Sequence, residues 1–580
     1  MRVLLLCHSF NSLTQRLHVA LREAGREVSV EFDVNGAVTR EAVALFRPDV
    51  VVAPFLKRAI PEDVWRSVRC LIVHPGVRGD KGPSALDWAI LDREAFWGVT
   101  LIEARGEMDA GPVWAWREFP LRQATKASLY RREVADAAVA CVFEALARLE
   151  AGETQAPTPA NVGRGLLRPA CGEAERRIDP ERCGVDQALV IARAADGAPG
   201  ALLSLFDRDW RVYDIEPAAG LAGSPGEGIA RSDSAVAVGL ADGAVWIGQA
   251  KRPGANEIKL PAALAMAAHL DGLRFAASPS PLHMWEEDHI AYLSFDFYNG
   301  AFSTADCQAL SAAVDRALAR RPRALVLTGG GDCWSNGMHL GVIEAAASPA
   351  DESWLNINAM NDLVERIARA EDVWTVSALR GNAGAGGVFL SLAADEVWMS
   401  ETAILNPHYK DMGNLYGSEY WTYLLPKTVG PERARLIAAA RLPMGIEEAL
   451  RLGLAAERLP GDLAGADAAI RARAAARVAD VEGLARRLAA KRAARAADEA
   501  RKPLAAYREE ELQRMKRNFY GFDPSYHVAR YNFIRKIPKS RTPLTLAAHR
   551  SSGRRLSEAT AAPPLSAPGA GRGRGEGRGD

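Results

Sequence analysis

His74 and Asp109 are the first residues along the chain whose types could act together in catalysis. A histidine can offer a hydrogen bond or a positive charge to a tetrahedral oxyanion, and a nearby carboxylate can orient the imidazole or relay a proton. His74 ends the apolar run Cys70–His74, which predicts a buried strand. Ligands of parallel sheets bind beyond the carboxyl ends of the strands. A lone histidine at a strand end is more often structural, so the surrounding motifs decide its role.

Two glycine-rich runs in the second half of the chain form another candidate site. They are Leu325–Gly331, continued by Cys333–Leu340, and Arg380–Phe389. Glycine lets a backbone approach a ligand closely, because a side chain there would block it. A dinucleotide-binding loop is the alternative for residues 381–387, although no acidic residue follows in a suitable place. Residues 328–332 lack the Gly-Lys-Ser/Thr ending of a phosphate-binding loop.

Tyr409 and Glu419 lie in Asn406–Tyr423, a run dense in aromatic residues. An aromatic helix packed in the core explains Trp421 and Tyr423. It explains Glu419 less well, because a carboxylate among aromatic rings needs a partner. Tyr409 and Glu419 are therefore candidates for moving a proton.

Composition excludes several classes of function. The 580 residues hold 72 Lys+Arg and 72 Asp+Glu, so the net charge is zero, which argues against bulk nucleic-acid binding. No apolar run approaches the roughly 20 residues of a membrane span. The seven scattered cysteines lack a C-x-x-C pair, and the ten histidines lack a metal-ligand spacing. We therefore expect free, mostly buried thiols, no bound metal and a cytoplasmic protein.

These residues must be positioned by helices and strands, whose pattern in the sequence predicts an α/β protein. The chain length predicts two to four domains. A β-α rhythm in 1–165 predicts a parallel sheet, with strands at Val3–Cys7, Val28–Phe32, Asp49–Pro54 and Cys70–His74 and a helix over Ser12–Ala24. Short β-rich pieces in 172–268 predict a small barrel or sandwich. The β-α rhythm returns in 283–548, and its last part is helical. Residues 551–580 predict a disordered tail, since they lack apolar side chains for a core.

The first candidate site resembles that of the 10-formyltetrahydrofolate-dependent formyltransferases, which include methionyl-tRNA formyltransferase. The resemblance rests on His74-Pro75-Gly76, Gly79–Pro83, Gly98-Val99-Thr100 and Glu107–Val113. It covers most of 1–165, and 172–268 resemble that family's C-terminal β domain. It implies a formyl-transfer site with His74 and Asp109 catalytic, and with Glu107, Met108 and Asp109 binding 10-formyltetrahydrofolate.

One position departs from that family. The family's Asn, two residues before the histidine, is Ile72 here. A missing oxyanion donor typically costs a few kcal/mol of transition-state stabilisation. Either the activity is lost or the acceptor differs from the usual amine. A thiol is one such acceptor, because a thiolate is a good nucleophile near neutral pH.

The two glycine-rich runs together resemble the signatures of the crotonase superfamily, the enoyl-CoA hydratases and isomerases, over about 285–460. This resemblance implies that the backbone N–H groups of Met338 and Gly386 form an oxyanion hole for a coenzyme A thioester. The two glutamates of the hydratases fall on Phe389 and Tyr409. Without those carboxylates, water addition or proton removal next to the carbonyl is not expected. Tyr409 and Glu419 remain.

A basic and aromatic stretch, Arg530–Arg541, allows three interpretations. It is a solvated surface, an RNA contact or a contact with the phosphates of coenzyme A. The third interpretation follows from the crotonase resemblance, because C-terminal helices of crotonase proteins commonly complete the coenzyme A site. Arg535 is our candidate within the third interpretation. Arg131 is a weaker candidate from the N-terminal half.

The combination of the two halves resembles the hydrogenase maturation proteins of the HypX/HoxX type. That resemblance implies formyl transfer from 10-formyltetrahydrofolate to coenzyme A, then cleavage of formyl-CoA to CO and coenzyme A. The CO would become a ligand of the NiFe-hydrogenase centre, with a hydrogenase large-subunit precursor or maturation proteins as partners. Two alternatives stay open: a formyltransferase fused to an ordinary hydratase or isomerase, and a non-enzymatic assembly factor that binds coenzyme A.

Overall fold

The computed structural model describes residues 1–159 and 162–550. They form three domains, each built on its own sheet, in agreement with the predicted α/β class. The tail over 551–580, predicted to be disordered, lies outside the described residues. All seven cysteines are buried and free, as predicted. Within the described ranges, no helix combines the length and the apolar character needed to cross a membrane.

The N-terminal domain contains a six-stranded sheet of order β2-β1-β3-β4-β5-β6. Its elements are β1 (Arg2–Cys7), α1 (Ser12–Glu23), β2 (Glu27–Phe32), α2 (Gly36–Phe46), β3 (Val50–Phe55), α3 (Glu62–Ser67), β4 (Cys70–His74), α4 (Ala85–Leu91), β5 (Phe96–Glu103), β6 (Val113–Pro120), α5 (Lys126–Leu129) and α6 (Ala135–Glu150). A π-helical turn, Tyr130–Val134, joins α5 to α6. The first four strands are parallel, as the β-α rhythm predicts, and β5 and β6 add an antiparallel edge.

The middle domain is a single seven-stranded sheet of order β10-β11-β12-β9-β8-β7, with β13 beside β12. Its elements are β7 (Arg177–Ile178), α7 (Val185–Ala195), β8 (Ala201–Leu205), β9 (Arg208–Pro217), β10 (Gly228–Arg231), β11 (Val236–Leu240), β12 (Gly243–Lys251), β13 (Leu260–Pro261) and α8 (Ala262–Ala265). The predicted β-rich segments are all present. Their core is closed by α7, whose Ala188 and Ile191 pack with Leu203 of β8.

The C-terminal domain has a six-stranded sheet of order β14-β15-β16-β18-β20-β22 and a small sheet of order β17-β19-β21. Its elements are β14 (Leu282–Glu287), β15 (Ile290–Phe295), α9 (Thr304–Ala319), β16 (Ala324–Thr328), β17 (Cys333–Ser335), α10 (Leu340–Ala345), α11 (Pro349–Ala368), β18 (Trp374–Leu379), β19 (Asn382–Gly384), α12 (Gly386–Leu392), β20 (Glu396–Ser400), β21 (Leu405–Asn406), α13 (Trp421–Val429), α14 (Pro431–Ala440), α15 (Ile446–Leu452), β22 (Glu457–Leu459), α16 (Leu463–Ala479), α17 (Val481–Arg501), α18 (Leu504–Tyr520) and α19 (Ser525–Ile534). Each of β16, β18 and β20 is followed by a strand of the small sheet. The loops after β17 and β19 therefore meet at one place.

The chain finally returns to the N-terminal domain through residues 542–550, which we call the C-terminal clasp. The N–H of Val30 in β2 donates to the carbonyl of Leu546 at 3.0 Å, and the N–H of Phe32 donates to Thr542 Oγ1 at 2.8 Å. Between them, the buried carboxylate of Glu31 accepts hydrogen bonds from His549 and Arg550. The clasp thus covers the edge strand of the first sheet, which would otherwise expose unpaired backbone groups.

Candidate functional site

His74 is the last residue of β4 and is 6% exposed. Its Nε2 lies 2.8 Å from Oδ2 of Asp80, and its Nδ1 lies 3.7 Å from Oδ1 of Asp109. The first distance is that of a hydrogen bond and the second is too long for one. The structure brings the predicted pair His74 and Asp109 together and adds a second carboxylate that the sequence analysis missed.

Asp109 is held by the backbone of a neighbouring loop. Its Oδ2 accepts a hydrogen bond from the N–H of Gly82 at 3.1 Å, and its φ of 52° lies in the left-handed region. Such a conformation in a residue other than glycine costs about 1–3 kcal/mol and occurs often at functional sites. Met108 beside it is 70% exposed, and Glu107 forms an ion pair with Lys81 at 2.9 Å. These two predicted folate contacts thus lie on the open side of Asp109.

Ile72 lies two residues before His74 in β4. Side chains alternate along a strand, so Ile72 and His74 face the same side of the sheet. The apolar side chain offers no hydrogen bond there. The oxyanion donor that the formyltransferase motif carries at this position is therefore absent from β4.

The second site is formed where the loops after β17 and β19 meet. Within the described part of the chain, no acceptor takes a hydrogen bond from the N–H of Met338 or of Gly386. A Cβ added to Gly337 would lie 3.5 Å from the nitrogen of Gly386, so the two loops are in contact. Ala385, just before α12, has a φ of 47°. Two uncommitted N–H groups on adjacent loops can polarise one carbonyl oxygen.

Glu419 lies directly against this pair of loops and is 1% exposed. A Cβ on Gly386 would be 2.3 Å from Oε1 of Glu419. Tyr409 donates its O–H to Oε2 of Glu419 at 2.6 Å, and the N–H of Ser418 donates to the same oxygen at 3.2 Å. Burial raises the pKa of Glu419 to about 7, although both hydrogen bonds lower it. The carboxyl group can therefore gain and lose a proton near neutral pH.

The two positions at which hydratases carry glutamates stack on each other here. The rings of Phe389 and Tyr409 lie 5.4 Å apart at an interplanar angle of 19°. Burial and the neighbouring Glu419 raise the pKa of Tyr409 well above its ordinary range. Tyr409 is therefore a hydrogen-bond donor to Glu419 at neutral pH.

A second buried glutamate, Glu511 of α18, supports the loop that carries Glu419. Its carboxylate accepts hydrogen bonds from the N–H groups of Tyr420 and Thr422, both at 2.9 Å. Burial raises the pKa of Glu511 to about 8. Asn361 of α11 accepts the N–H of Glu419 at 2.7 Å. Glu419 and Tyr420 have φ values of 58° and 57°, and these contacts hold that left-handed turn in place.

Arg131 and Arg535 each reach a neighbouring domain. Arg131, on the π-helical turn, donates to Oδ1 of Asn299 at 3.0 Å and lies 3.4 Å from Asp332. Arg535 donates to the carbonyl of Asn256 and lies over the ring of Tyr531. Neither arginine contacts His74 or Glu419.

Further cations meet at the junction of the three domains. Lys259 donates to the hydroxyl of Tyr298 at 2.8 Å. Burial and, to a smaller extent, the cationic neighbours Lys536, Lys251 and Arg131 lower the pKa of Lys259 to about 8, although Asp196 acts in the opposite direction. The N-terminal domain also contacts the second site near this junction, since Asn406 of β21 donates to Gln15 of α1 at 3.0 Å.

Asp80 and Glu511 are the residues of the two candidate sites that sequence reasoning missed. Asp80 belongs to the quoted Gly79–Pro83 loop, six residues after His74, and that proximity is a signal that could have identified it. Glu511 lies 92 positions beyond Glu419, in a helix whose pattern resembles an ordinary charged surface. Only the packing of α18 against α13 and α11 brings it close.

Known proteins are similar to each half of the chain. The enoyl-CoA hydratase/isomerase family matches residues 297–519. The methionyl-tRNA formyltransferase of Novosphingobium aromaticivorans is 29% identical over 251 residues, 42% of this chain and 80% of that one. Fold and sites together define a protein that joins a formyltransferase-like half to a crotonase-like half.

Two longer matches cover both halves. The hydrogenase maturation factor HoxX of Bradyrhizobium diazoefficiens is 58% identical over 554 residues, 95% of this chain and 97% of that one. The crystal structure of HypX from Aquifex aeolicus in complex with tetrahydrofolic acid superposes with a TM-score of 0.92 at 43% identity, over 96% of this chain and 100% of that one. The chain belongs to the HypX/HoxX family of hydrogenase maturation factors.

Proposed function

We propose that the chain makes CO for the NiFe-hydrogenase centre in two steps. In the first, the formyl group of 10-formyltetrahydrofolate passes to the thiol of coenzyme A: a C–S bond forms, the C–N10 bond breaks and the thiol proton ends on N10. In the second, formyl-CoA is cleaved to CO, and the formyl proton ends on the coenzyme A sulfur. Both steps balance without an oxidant or a reductant.

The position of Glu419 is the main observation in support of the proposal, and it concerns the second step. Formyl-CoA has no carbon next to its carbonyl, so the two hydratase glutamates would have no proton to handle. Their positions hold Phe389 and Tyr409, and a different buried carboxylate lies against the Met338 and Gly386 loops. The two N–H groups would polarise the thioester carbonyl, and Glu419 would take the formyl proton and return it to sulfur. Burial of the site would limit hydrolysis to formate.

The first step rests on the arrangement around His74. Asp109 lies beside Nδ1 and Glu107 and Met108 lie next to it on the exposed side, which suits a folate entering from solvent. Ile72 removes a donor that amine acceptors rely on, and a thiol acceptor is a better nucleophile near neutral pH. The tetrahydrofolate complex of the Aquifex aeolicus HypX supports the choice of donor.

Coenzyme A binding is supported by the cations at the domain junction. Its phosphates need arginine or lysine, which bind them by charge and hydrogen bonding. We propose Arg131 and Arg535 as such contacts. The buried Lys259 is a further cation at this junction, and Arg131, Lys251 and Lys536 lie close enough to influence its pKa. An RNA-binding role for the same stretch has no comparable support.

The decisive test gives purified protein 10-formyltetrahydrofolate and coenzyme A and reads CO by the haemoglobin absorbance shift. We expect CO that depends on both substrates, and loss of CO with accumulation of formyl-CoA in Glu419→Gln. Glu432→Gln, an exposed glutamate at the start of α14, is the matched control and should retain activity. Undiminished CO from Glu419→Gln would remove this residue from the mechanism.

Two further measurements separate the alternatives. Hydration of crotonyl-CoA would favour the fused hydratase, against which Phe389 and Tyr409 argue. Normal hydrogenase maturation by a variant lacking both His74 and Asp109 would favour a non-enzymatic assembly factor. We propose that the reaction takes place in the cytoplasm, where free cysteines are the rule, and that the CO passes to a hydrogenase large-subunit precursor or to another maturation protein.

A further inference from the structure

Asp80 makes the short contact of the first site. Its side chain is buried, and Oδ2 lies 2.8 Å from Nε2 of His74, against 3.7 Å between Nδ1 and Asp109. Asp80 and Asp109 are the charged groups in contact with this ring among the described residues. A carboxylate can only accept hydrogen bonds, so the hydrogen in this contact is carried by Nε2 of His74. Nδ1 is the nitrogen left for substrate.

Two glycines, Gly76 and Gly165, pack closely against the pair formed by His74 and Asp80. A Cβ on Gly76 would lie 2.4 Å from Nε2 of His74 and 2.5 Å from Oδ2 of Asp80. A Cβ on Gly165 would lie 1.8 Å from the backbone nitrogen of Asp80. Any side chain at these two positions would separate the pair, so the glycines keep the hydrogen bond closed.

We propose that Asp80 is the positioning residue of formyl transfer and that His74 acts through Nδ1 as the proton carrier for the thiol. This proposal rests on the proposed function, in which coenzyme A is the acceptor. Nδ1 takes the S–H proton while sulfur attacks the formyl carbon. The same proton passes to N10 when the C–N10 bond breaks. Asp80 stabilises the imidazolium between these two events, and the neutral ring is restored.

The arrangement is analogous to a catalytic triad of aspartate, histidine and nucleophile, except that here the substrate supplies the nucleophile. It also gives a physical reason for Ile72. A thiol gains most from a base that removes its proton, because the thiolate and not the thiol is the reactive form. A neutral amine attacks with its own lone pair and loses its proton only after the C–N bond has formed, so its attack depends less on a base than that of a thiol.

The test is the pH dependence of formyl-CoA formation in Asp80→Asn. At neutral pH we expect the rate to fall by at least about 100-fold, the usual contribution of general acid–base catalysis. The deficit should shrink as the pH rises towards about 8.5, where a thiol begins to ionise without help. Asp63→Asn, an exposed partner of Arg40 in the same domain, is the matched control and should match the wild type.

Each result of the Asp80→Asn measurement either supports or contradicts the positioning role of Asp80. A loss that stays constant across pH would assign Asp80 a structural role, and an unchanged rate would remove it altogether; either result overturns the proposal. Imidazole nitrogen NMR of wild-type protein with labelled histidine provides a test that needs no Asp80 variant: His74 should carry its proton on Nε2, and a proton on Nδ1 of the neutral ring would contradict us. Failure of the wild type to form any formyl-CoA would instead overturn the proposed function.

Discussion

Individual carboxylates in this molecule owe their properties to burial. Glu419 and Glu511 are almost without solvent contact, and burial raises their pKa values to about 7 and about 8. A group with a pKa near the working pH exchanges protons most efficiently. Glu419 lies against the loops that carry Met338 and Gly386, whereas Glu511 accepts hydrogen bonds from two backbone N–H groups of the loop that it supports. We therefore propose Glu419, and not Glu511, as the group that transfers the proton.

Tyr409→Phe tests the origin of that pKa. The Tyr409 hydroxyl donates to the carboxylate and lowers the pKa of Glu419 from what burial alone would give. A hydrogen bond to a charged group contributes about 1.5–3 kcal/mol, so its loss should raise the pKa by about one to two units. Because the ionised form accepts the formyl proton, CO release from added formyl-CoA should need a higher pH. An unchanged pH profile would contradict this assignment.

At the scale of elements, the beginning of α12 determines the second site. Gly386 is the first residue of that helix, follows the strained Ala385 and touches the carboxylate of Glu419. Strain of this kind survives only where the surrounding packing enforces it. The packing around α12 therefore holds this turn in its strained conformation.

Gly386→Ala should separate the two steps. The added Cβ would meet Oε1 of Glu419 at 2.3 Å in a buried site with little room to yield. We expect CO release to fall by at least about 100-fold, the scale of a lost oxyanion-hole donor. Formyl-CoA production, measured in the same sample, should persist because it depends on the other domain. Loss of both activities together would mean that the helix positions more than the second site.

Sequence patterns predict elements well where one rule acts. The strands β1, β2, β3 and β4 and the helix α1 follow from apolar periodicity, and in the structure Asn11 caps the start of α1. The antiparallel edge of β5 and β6 was not predicted, because periodicity carries no information on strand direction. His74 with Asp109, and Glu419 with Tyr409, were predicted as pairs. Asp80 and Glu511 were not, since their roles depend on loop shape and on distant packing.

At the scale of the whole molecule, the clasp joins the last described residues to the first domain. Burial raises the pKa of Glu31 in β2, but hydrogen bonds from His549, Thr542 and Arg550 outweigh it, and the net shift is downward. A lowered pKa means that the clasp stabilises the fold above the ordinary value of 4.5 and that this stabilisation is lost as the pH falls below it.

Glu31→Gln and Glu41→Gln make a matched pair for measuring the clasp. Both carboxylates accept hydrogen bonds from Arg550, but Glu31 is buried and the Glu41 side chain is 56% exposed. We expect Glu31→Gln to lower the free energy of unfolding by about 1.5–3 kcal/mol in denaturant titrations at neutral pH. Glu41→Gln should change it by less than about 1 kcal/mol. Equal effects would show that the clasp does not depend on the buried charge.

The clasp also has a consequence for biosynthesis. A ribosome makes β2 long before Leu546, yet the two are hydrogen-bonded neighbours in the finished protein. Until then, the edge of the first sheet stays uncovered and Glu31 lacks its cationic partners. The domain that we expect to handle formyl groups is therefore completed only after the domain that we expect to consume formyl-CoA has been synthesised. A prematurely terminated chain would lack the clasp and would leave the β2 edge of the first sheet unpaired.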